Sequence, residues 1–280
     1  MRRLTGLAAA LALALFAPAA EAIDIHAHRG GPLDHGIPVT PENSMAAFER
    51  AEELGADVIE LDAKVTRDGV PVVLHDAALD RTTDCSGMVR DRTAAEVLAC
   101  RIDILGVDDR VVPHPESEET VPALADVLAW AREEGVRLNL EIKNQPLDAD
   151  FDPTPAFATA VLDALDRSGI PKRQVIVQSF WPVDLVWARL RGYTTSVLTL
   201  PQLNEVGVVA ALATGSDWVS PGWPALTGPL YVQLAHLLGR KVVPYTLDTA
   251  TDLRAAADAG VDAVITNDVP LAQEEVLGVP

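Results

Sequence analysis

Glu60 and Asp62 stand two positions apart at the end of an apolar run, and the chain soon returns to a histidine. Side chains at positions i and i+2 of a strand share one face, so the two carboxylates point the same way. The pair Asp68-Gly69 between β-branched runs predicts a two-residue hairpin turn, which would set Asp62 opposite His75. Paired carboxylates beside an imidazole can hold a metal ion and move a proton. This stretch therefore predicts half of a metal-dependent catalytic site.

Two further apolar runs end in polar residues with the same spacing. One ends in His26 and His28, followed by Arg29, and the other ends in Glu141 and Lys143. Inward-pointing charges are costly unless they are paired or bind a cation. Glu141 and the two hairpin carboxylates, with no thiolate among them, favour a hard oxygen-preferring ion such as Ca²⁺ or Mg²⁺. His26 is expected to be a hydrogen-bonded residue of the core.

The remaining polar side chains suit a phosphodiester substrate. Imidazole moves protons near neutral pH, so one of His28 and His75 is expected to deprotonate the nucleophile and the other to protonate the leaving alkoxide. Arg29 can hold an anion through its planar fork, and Lys143 can do so as a point charge. These cations and the metal would stabilise the charged transition state.

These side chains need a scaffold that brings several strand ends together. Eight apolar runs alternate with helical patterns, which predicts an α/β fold, a (β/α)8 TIM barrel with its catalytic groups at the C-terminal strand ends. The strands are predicted at Ile23–His28, Val58–Asp62, Leu138–Lys143, Val175–Ser179, Ser196–Leu200, Trp218–Ser220, Val242–Thr246 and Ala263–Thr266. The helices are predicted at Glu42–Leu54, Ala123–Glu134, Pro155–Ser168, Pro182–Leu190, Asn204–Ala213, Pro229–Leu238 and Thr249–Ala259. The arm that returns to His75 is predicted to belong to the hairpin and not to the barrel.

The first helix is predicted to open at Thr40, a cap residue followed by proline. Glu42 and Asn43 then have two possible roles. They either cap the helix, as such residues often do, or orient His28 or a metal ligand. Asp76 is expected to orient its neighbour His75.

Residues 80–120 do not fit the repeat and predict an insertion after the hairpin, on the catalytic side of the barrel. A short helix is predicted near residues 93–99. Cys85 and Cys100 lie within this insertion and would meet in an oxidising compartment, where a disulfide is expected. Closing a loop of this size contributes about 3 kcal/mol. The alternative is a pair of unrelated buried thiols.

The first 22 residues have the three parts of an export signal. Arg2 and Arg3 are basic, Leu4–Phe16 is apolar, and a small-residue cleavage site ends at Ala22. The mature protein would begin near Ile23 and be periplasmic or secreted. The apolar part is shorter than the roughly 20 residues of a membrane span, so no stable membrane anchor is expected.

The composition of the 280 residues, 49% apolar and 22% charged, is that of a globular protein. The net charge of -19 argues against binding to nucleic acid or anionic membranes, because phosphate backbones attract lysine and arginine. A small-molecule substrate is therefore expected. The oligomeric state is left open.

The order of these motifs resembles the glycerophosphodiester phosphodiesterase family, which belongs to the phospholipase C-like phosphodiesterase superfamily. The resemblance covers essentially residues 23–280 and implies one barrel domain that uses one divalent cation, Ca²⁺ or Mg²⁺. It implies hydrolysis of glycerophosphodiesters to sn-glycerol 3-phosphate and an alcohol. The matching runs are His28-Arg29-Gly30, Pro41-Glu42-Asn43-Ser44, Glu60-Leu61-Asp62, Asp68-Gly69 with His75-Asp76, Glu141-Ile142-Lys143, Gln178-Ser179-Phe180 and residues 260–268.

Carried over residue by residue, the resemblance implies three groups of site residues. They are the general acid and base His28 and His75, the metal ligands Glu60, Asp62 and Glu141, and the phosphate contacts Arg29 and Lys143. Phe180 and Tyr245 are expected to line the substrate pocket. Residues 245–248 read Tyr-Thr-Leu-Asp where the family often has Trp-Thr-Val-Asn, so the pocket for the leaving alcohol is expected to differ.

Two other functions remain open. A lysophospholipase D-like or lyase activity on lysolipids would need an apolar groove for an acyl chain. A noncatalytic exported binding protein could keep the same barrel, but it would be expected to lack a histidine or a carboxylate of the site, and all of them are present.

Overall fold

Eight parallel strands form the centre of the molecule in the computed structural model, which describes residues 22–223 and 228–279, with residues 204 and 205 as backbone alone. The predicted leader lies outside the described residues except for Ala22. In chain order the strands are β1 Asp24–Ala27, β2 Val58–Val65, β3 Leu138–Ile142, β4 Val175–Ser179, β5 Thr194–Thr199, β6 Trp218–Pro221, β7 Lys241–Val242 and β8 Ala263–Thr266. Neighbours in the sheet follow the order β7-β6-β5-β4-β3-β2-β1-β8. The predicted TIM barrel is confirmed.

The barrel closes between β7 and β8 without a regular ladder. The backbone N–H of Asp262 donates to the carbonyl of Val242 at 3.0 Å, and Ile265 donates to Pro244 at 3.0 Å. Leu247 donates to the carbonyl of Ile265 at 2.9 Å. The seventh strand is thus shorter than predicted, and its continuation leads directly to the barrel mouth.

Helices cover the outside of the sheet and bury a continuous apolar layer against it. They are α1 Met45–Glu53, α2 Leu124–Glu134, α3 Ala156–Ser168, α4 Pro182–Leu190, α5 Asn204–Thr214, α6 Pro229–Leu237, α7 Ala250–Ala259 and α8 Val269–Ala272. Gly135 and Gly260 end α2 and α7 in the left-handed conformation that favours glycine. In the described part of the chain, no helix is long and apolar enough to span a bilayer.

The hairpin after β2 differs from the prediction by one residue. Its returning arm, Pro71–Val73, pairs antiparallel with β2 and lies off the barrel, as expected. The register sets Ala63 opposite Val73, so the backbone N–H of Leu74, not His75, donates to the carbonyl of Asp62. The predicted pairing of Asp62 with His75 is wrong because the loop has three residues and not two.

The loop residues Arg67, Asp68 and Gly69 explain the shift. The N–H of Gly69 donates to the carbonyl of Thr66 at 2.9 Å, and the N–H of Thr66 donates to the carbonyl of Val70 at 3.1 Å. Gly69 has a φ of 78°, which is the geometry of a turn followed by a left-handed residue. The chain bends after the returning arm, and this bend carries His75 to the barrel mouth.

The first helix begins at Met45, three residues later than predicted. The hydroxyl of Ser44 accepts from the N–H of Ala47 at 3.1 Å and is the N-cap, so Thr40 does not cap this helix. Asn43 has a φ of 55°, outside the helical region. Glu42 and Asn43 are therefore not capping residues, and their side chains turn to the barrel mouth.

The insertion contains a second small apolar cluster and an antiparallel hairpin, Ile104–Val107 with Arg110–Pro113. Its short helix spans Ala94–Val97 and is capped by Thr93. Cys85 and Cys100 are joined by a disulfide at the edge of this cluster. The tip of the hairpin reaches the mouth of the barrel.

Candidate active site

Three buried carboxylates on β2 and β3 meet at the centre of the barrel mouth. Glu60, Asp62 and Glu141 each offer an oxygen atom, and these atoms all lie within 4.8 Å of one another. Burial, followed by the charges of Asp62 and Glu141, raises the pKa of Glu60 well above its ordinary value. Burial also raises the pKa of Glu141 to about 7. These raised pKa values show that the nearby positive charge does not balance three ionised carboxylates.

A divalent cation fits this cluster. All three donors are carboxylate oxygens, the ligands preferred by Ca²⁺ and Mg²⁺, and a bound cation would relieve the repulsion that raises the pKa of Glu60. Gln178 on β4 orients that carboxylate, because its Nε2 donates to Oε1 of Glu60 at 2.8 Å. The backbone N–H of Arg29 donates to the other oxygen at 2.9 Å.

Two cations flank the carboxylates. Lys143 Nζ lies 3.0 Å from Glu141 Oε1 and 3.8 Å from Asp62 Oδ1. Arg29 Nε lies 3.2 Å from Asp62 Oδ2. Burial alone would raise the pKa of Asp62, but His75 and the two cations hold it below its ordinary value. Both cations line the cavity at the mouth, where an anion would sit.

Glu42 and Asn43 support these groups and do not cap a helix. Glu42 Oε1 accepts from Arg29 Nη1 at 2.9 Å. Asn43 Nδ2 donates to Asp62 Oδ2 at 2.9 Å, and its Oδ1 accepts from the Asp62 N–H at 3.2 Å. Each residue therefore holds one member of the predicted site in place.

His28 follows β1 and has a neutral partner. Its Nδ1 lies 2.7 Å from Oδ1 of Asn267 at the end of β8, and its Nε2 lies 4.0 Å from Oε2 of Glu60. Burial, followed by the charge of Arg29, lowers the pKa of His28 to about 4. The imidazole is therefore neutral near pH 7.

His75 has a charged partner. Its Nδ1 lies 2.6 Å from Asp76 Oδ1, and Nε of Arg81 donates to the other oxygen of Asp76 at 2.6 Å. Arg81 also forms two hydrogen bonds of 2.8 Å to Glu42, which links this pair to Arg29. The pKa of His75 is lowered from its ordinary value by burial and then by Arg29, and the hydrogen bond to Asp76 offsets only part of this.

Most of the predicted site residues line one cavity of about 270 Å³. Its lining includes both histidines, Arg29, Lys143 and two of the three carboxylates, Glu60 and Glu141. Phe180 and Tyr245 form an aromatic wall with ring centroids 6.0 Å apart. The hydroxyl of Tyr245 donates to the carbonyl of Thr199 at 2.9 Å, so its proton already has a partner within the protein.

Several residues of the site were not predicted. Asp108, at the tip of the insertion hairpin, accepts from Arg29 Nη1 at 3.1 Å and lines the cavity. Asn267 is the partner of His28, and Arg81 holds Asp76, the partner of His75. Asn267 lies in a run that matches the family, which was a usable signal. Asp108 lies in the insertion, where no sequence pattern identifies it.

A second, mostly apolar cavity of about 300 Å³ adjoins the first. The two share Gln145, Phe180, Leu198 and Leu200 in their linings. The second cavity continues over the ends of β4 and β5 to α5, where Val206 lies at its edge. The mouth of the barrel therefore has a polar side and an apolar side.

The chain is similar to known proteins over most of its length. Residues 28–271 match the sequence model of the Glycerophosphoryl diester phosphodiesterase family. A glycerophosphodiester phosphodiesterase of Caldanaerobacter subterraneus is 32% identical over 248 residues, which cover 86% of this chain and 93% of that protein.

Solved structures share the fold. A glycerophosphoryl diester phosphodiesterase of Silicibacter pomeroyi superposes with a TM-score of 0.75 at 24% identity, covering 92% of this chain and 94% of that one. A phosphodiesterase of Oleispira antarctica, solved in complex with the product sn-glycerol-3-phosphate, has a TM-score of 0.73 at 21% identity. That match covers 91% of this chain and 97% of the other.

Proposed function

Because the chain belongs to the Glycerophosphoryl diester phosphodiesterase family, we propose that it hydrolyses glycerophosphodiesters to sn-glycerol 3-phosphate and an alcohol. The observation that supports this most directly is the meeting of three carboxylates, two histidines and two cations around one cavity. The phosphodiesterase of Oleispira antarctica that shares the fold was solved with the same product.

Glu60, Asp62 and Glu141 would hold one divalent cation, Ca²⁺ or Mg²⁺. The family is generally metal-dependent, and the three-oxygen cluster suits either ion. A bound cation supplies charge stabilisation to the oxygens of the phosphodiester. Arg29 and Lys143 face the same cavity and would bind the phosphoryl oxygens, Arg29 as a fork and Lys143 as a point charge.

The two histidines divide the proton transfers according to their partners. His28 is neutral and beside a neutral amide, so its Nε2 can take a proton from the water that attacks phosphorus. His75 is held by the carboxylate of Asp76, which stabilises an imidazolium, so it can give a proton to the leaving alkoxide. The new P–O bond forms as the bond to the alcohol breaks, and proton exchange with water resets both rings.

Export remains part of the proposal. The leader that ends at Ala22 would direct the protein to the periplasm or the medium, where the disulfide of Cys85 and Cys100 would persist. Expression of the full chain in a secreting bacterium, followed by N-terminal sequencing of the exported protein, would test this. A start near Ile23 is expected, and retention of Met1 in the exported protein would contradict it.

The activity is tested with the purified protein, glycerophosphocholine and glycerophosphoethanolamine. Release of sn-glycerol 3-phosphate is expected with Ca²⁺ or Mg²⁺ and is expected to stop when EDTA is added. No release above background with either ion would refute the proposed reaction. Release that EDTA does not affect would refute the metal dependence alone.

A second substrate class is favoured by the apolar cavity. Because it shares Phe180, Leu198 and Leu200 with the catalytic cavity, an acyl chain could lie there while the phosphodiester stays near the carboxylates. This suits the lysophospholipase D-like reaction on lysolipids. Release of choline from lysophosphatidylcholine would support it, and turnover of glycerophosphocholine alone would oppose it. Since both histidines and all three carboxylates are in place, nothing favours a noncatalytic role.

A further inference from the structure

A chain of hydrogen bonds runs from the insertion hairpin to the catalytic His28. Arg110 on the returning arm of that hairpin donates through Nη2 to Oδ2 of Asp248. The same carboxylate oxygen accepts from Nδ2 of Asn267 at 2.7 Å. Oδ1 of Asn267 lies 2.7 Å from Nδ1 of His28. Two residues that the proposed reaction does not use are thus connected to a residue that it requires.

The carboxylate of Asp248 decides which way the amide of Asn267 faces. An ionised carboxylate can only accept hydrogen bonds, so the amide nitrogen must face Asp248 and the amide oxygen must face His28. An amide oxygen can only accept, so Nδ1 of His28 must carry the proton. Its Nε2 is then left with a lone pair on the side of Glu60, 4.0 Å away.

Asp248 is well suited to keep this arrangement. Its Oδ1 accepts from the backbone N–H of Asn267 at 2.8 Å and from the hydroxyl of Thr266 at 3.3 Å. With Arg110 and the side chain of Asn267, the carboxylate accepts from four donors. The guanidinium of Arg110 has donors and no acceptor, so its hydrogen bond requires the carboxylate oxygen to accept.

We propose that Arg110 and Asp248 are positioning residues that hold His28 with its Nδ1 protonated and its Nε2 free to accept a proton. The insertion hairpin thereby completes the active site from outside the barrel. This inference rests on the proposed role of His28 as the base. Arg110 and Asp248 lie more than 80 positions from His28 in sequence.

The kinetic test replaces each link by a residue without the required hydrogen-bonding group. Asp248→Leu and Arg110→Ala are expected to lower kcat by about 10- to 100-fold with KM little changed, because substrate binding does not use them. Asp248→Asn keeps an oxygen that can accept from Asn267 and is expected to restore most of the lost kcat. Arg110→Lys is expected to restore part of it.

The control is another arginine–aspartate pair in the same insertion. Nε of Arg101 donates to Asp84 at 2.9 Å, and neither residue lines the catalytic cavity, so Arg101→Ala is expected to leave kcat unchanged. Equal losses in Arg101→Ala and Arg110→Ala would show only a structural effect and would overturn the inference. An unchanged kcat in both Asp248→Leu and Arg110→Ala would overturn it as well.

The protonated nitrogen is read directly by nitrogen-15 NMR of the histidine rings, without substrate and in the presence of Mg²⁺. The signal of His28, assigned by comparison with His28→Gln, is expected to show a proton on Nδ1 in the wild type. Asp248→Leu is expected to shift it towards a mixture of both tautomers. A wild-type signal with the proton on Nε2 would overturn the inference, even if the enzyme is active. An inactive wild type with the expected tautomer would refute the proposed function alone.

Discussion

The two sides of the barrel mouth differ in what their strand ends carry. On the side of β1, β2 and β3, nearly every side chain that faces the cavity is charged or an imidazole, and each has a partner. On the side of β4 and β5 the cavity is lined mostly by apolar residues such as Leu198 and Leu200. The first side has the groups that can break a phosphate ester. The second side is mostly apolar and can only pack against part of a substrate. The difference implies that rate and substrate choice are set by separate residues.

The largest effect is expected from removing a proton carrier on the polar side. His28→Ala and His75→Ala should each lower kcat by about 10²- to 10⁴-fold, because general acid–base catalysis contributes that much. The matched control is His236→Ala, because His236 is an exposed histidine on α6. This substitution should leave kcat unchanged. Steady-state kinetics on glycerophosphocholine measure this. Full activity of His75→Ala would remove it from the mechanism.

The next effect concerns a residue that orients a metal ligand. Gln178→Ala removes the hydrogen bond to Glu60 and should raise the metal concentration needed for half-maximal activity by about 10- to 100-fold. Gln174→Ala is the control, since the side chain of Gln174 donates to the backbone carbonyl of Val136 at the other end of β4. Titration of the EDTA-treated enzyme with Mg²⁺ gives both values. If both variants needed the same Mg²⁺ concentration for half-maximal activity, Gln178 would have no role in metal binding.

A smaller effect is expected on the apolar side. Val206→Glu places a charge at the edge of the apolar cavity and should lower kcat/KM for lysophosphatidylcholine by about 10-fold relative to glycerophosphocholine. Val209→Glu, on the same helix and exposed but outside the cavity lining, should leave that ratio unchanged. A ratio that neither variant alters would mean that the acyl chain does not lie there.

The smallest effect is on stability. Asp184 in the first turn of α4 is buried and accepts a hydrogen bond from Ser179 at 3.3 Å, and burial raises its pKa to about 7. The folded protein therefore holds a proton that the unfolded chain releases near pH 4, so stability falls as pH rises from about 4 to 7. Asp184→Asn should remove this loss and stabilise the protein at pH 8 by on the order of 1–2 kcal/mol.

Urea unfolding of the wild type and of Asp184→Asn at pH 5 and pH 8 checks this sign. The two proteins should be similar at pH 5, where both side chains are neutral, and should differ at pH 8. An equal gain at pH 5 and pH 8 would show that the carboxyl is not protonated in the folded state. The carboxylates of the polar side are the contrast, because a bound cation would keep them ionised.

The amino-acid sequence determined the residues that local patterns can identify. The spacing of Glu60 with Asp62 and of Glu141 with Lys143 placed each pair on one face of a strand, and alternation of strands and helices predicted the barrel. Helix bounds were predicted within a few residues where glycine or proline marks them. These inferences hold because side-chain direction and chain termination depend on a few neighbouring residues.

The tertiary structure alone decided which partners those residues meet. A loop of three residues and not two shifted the hairpin by one position, and only backbone contacts distinguish the two. Glu42 and Asn43 proved to hold Arg29 and Asp62 because the helix begins after them. Asp108 joined the site through the folding of the insertion, which no local pattern specifies. Contacts between segments that are far apart in sequence depend on how whole helices and strands pack. The local sequence of one segment does not specify which other segment it will meet.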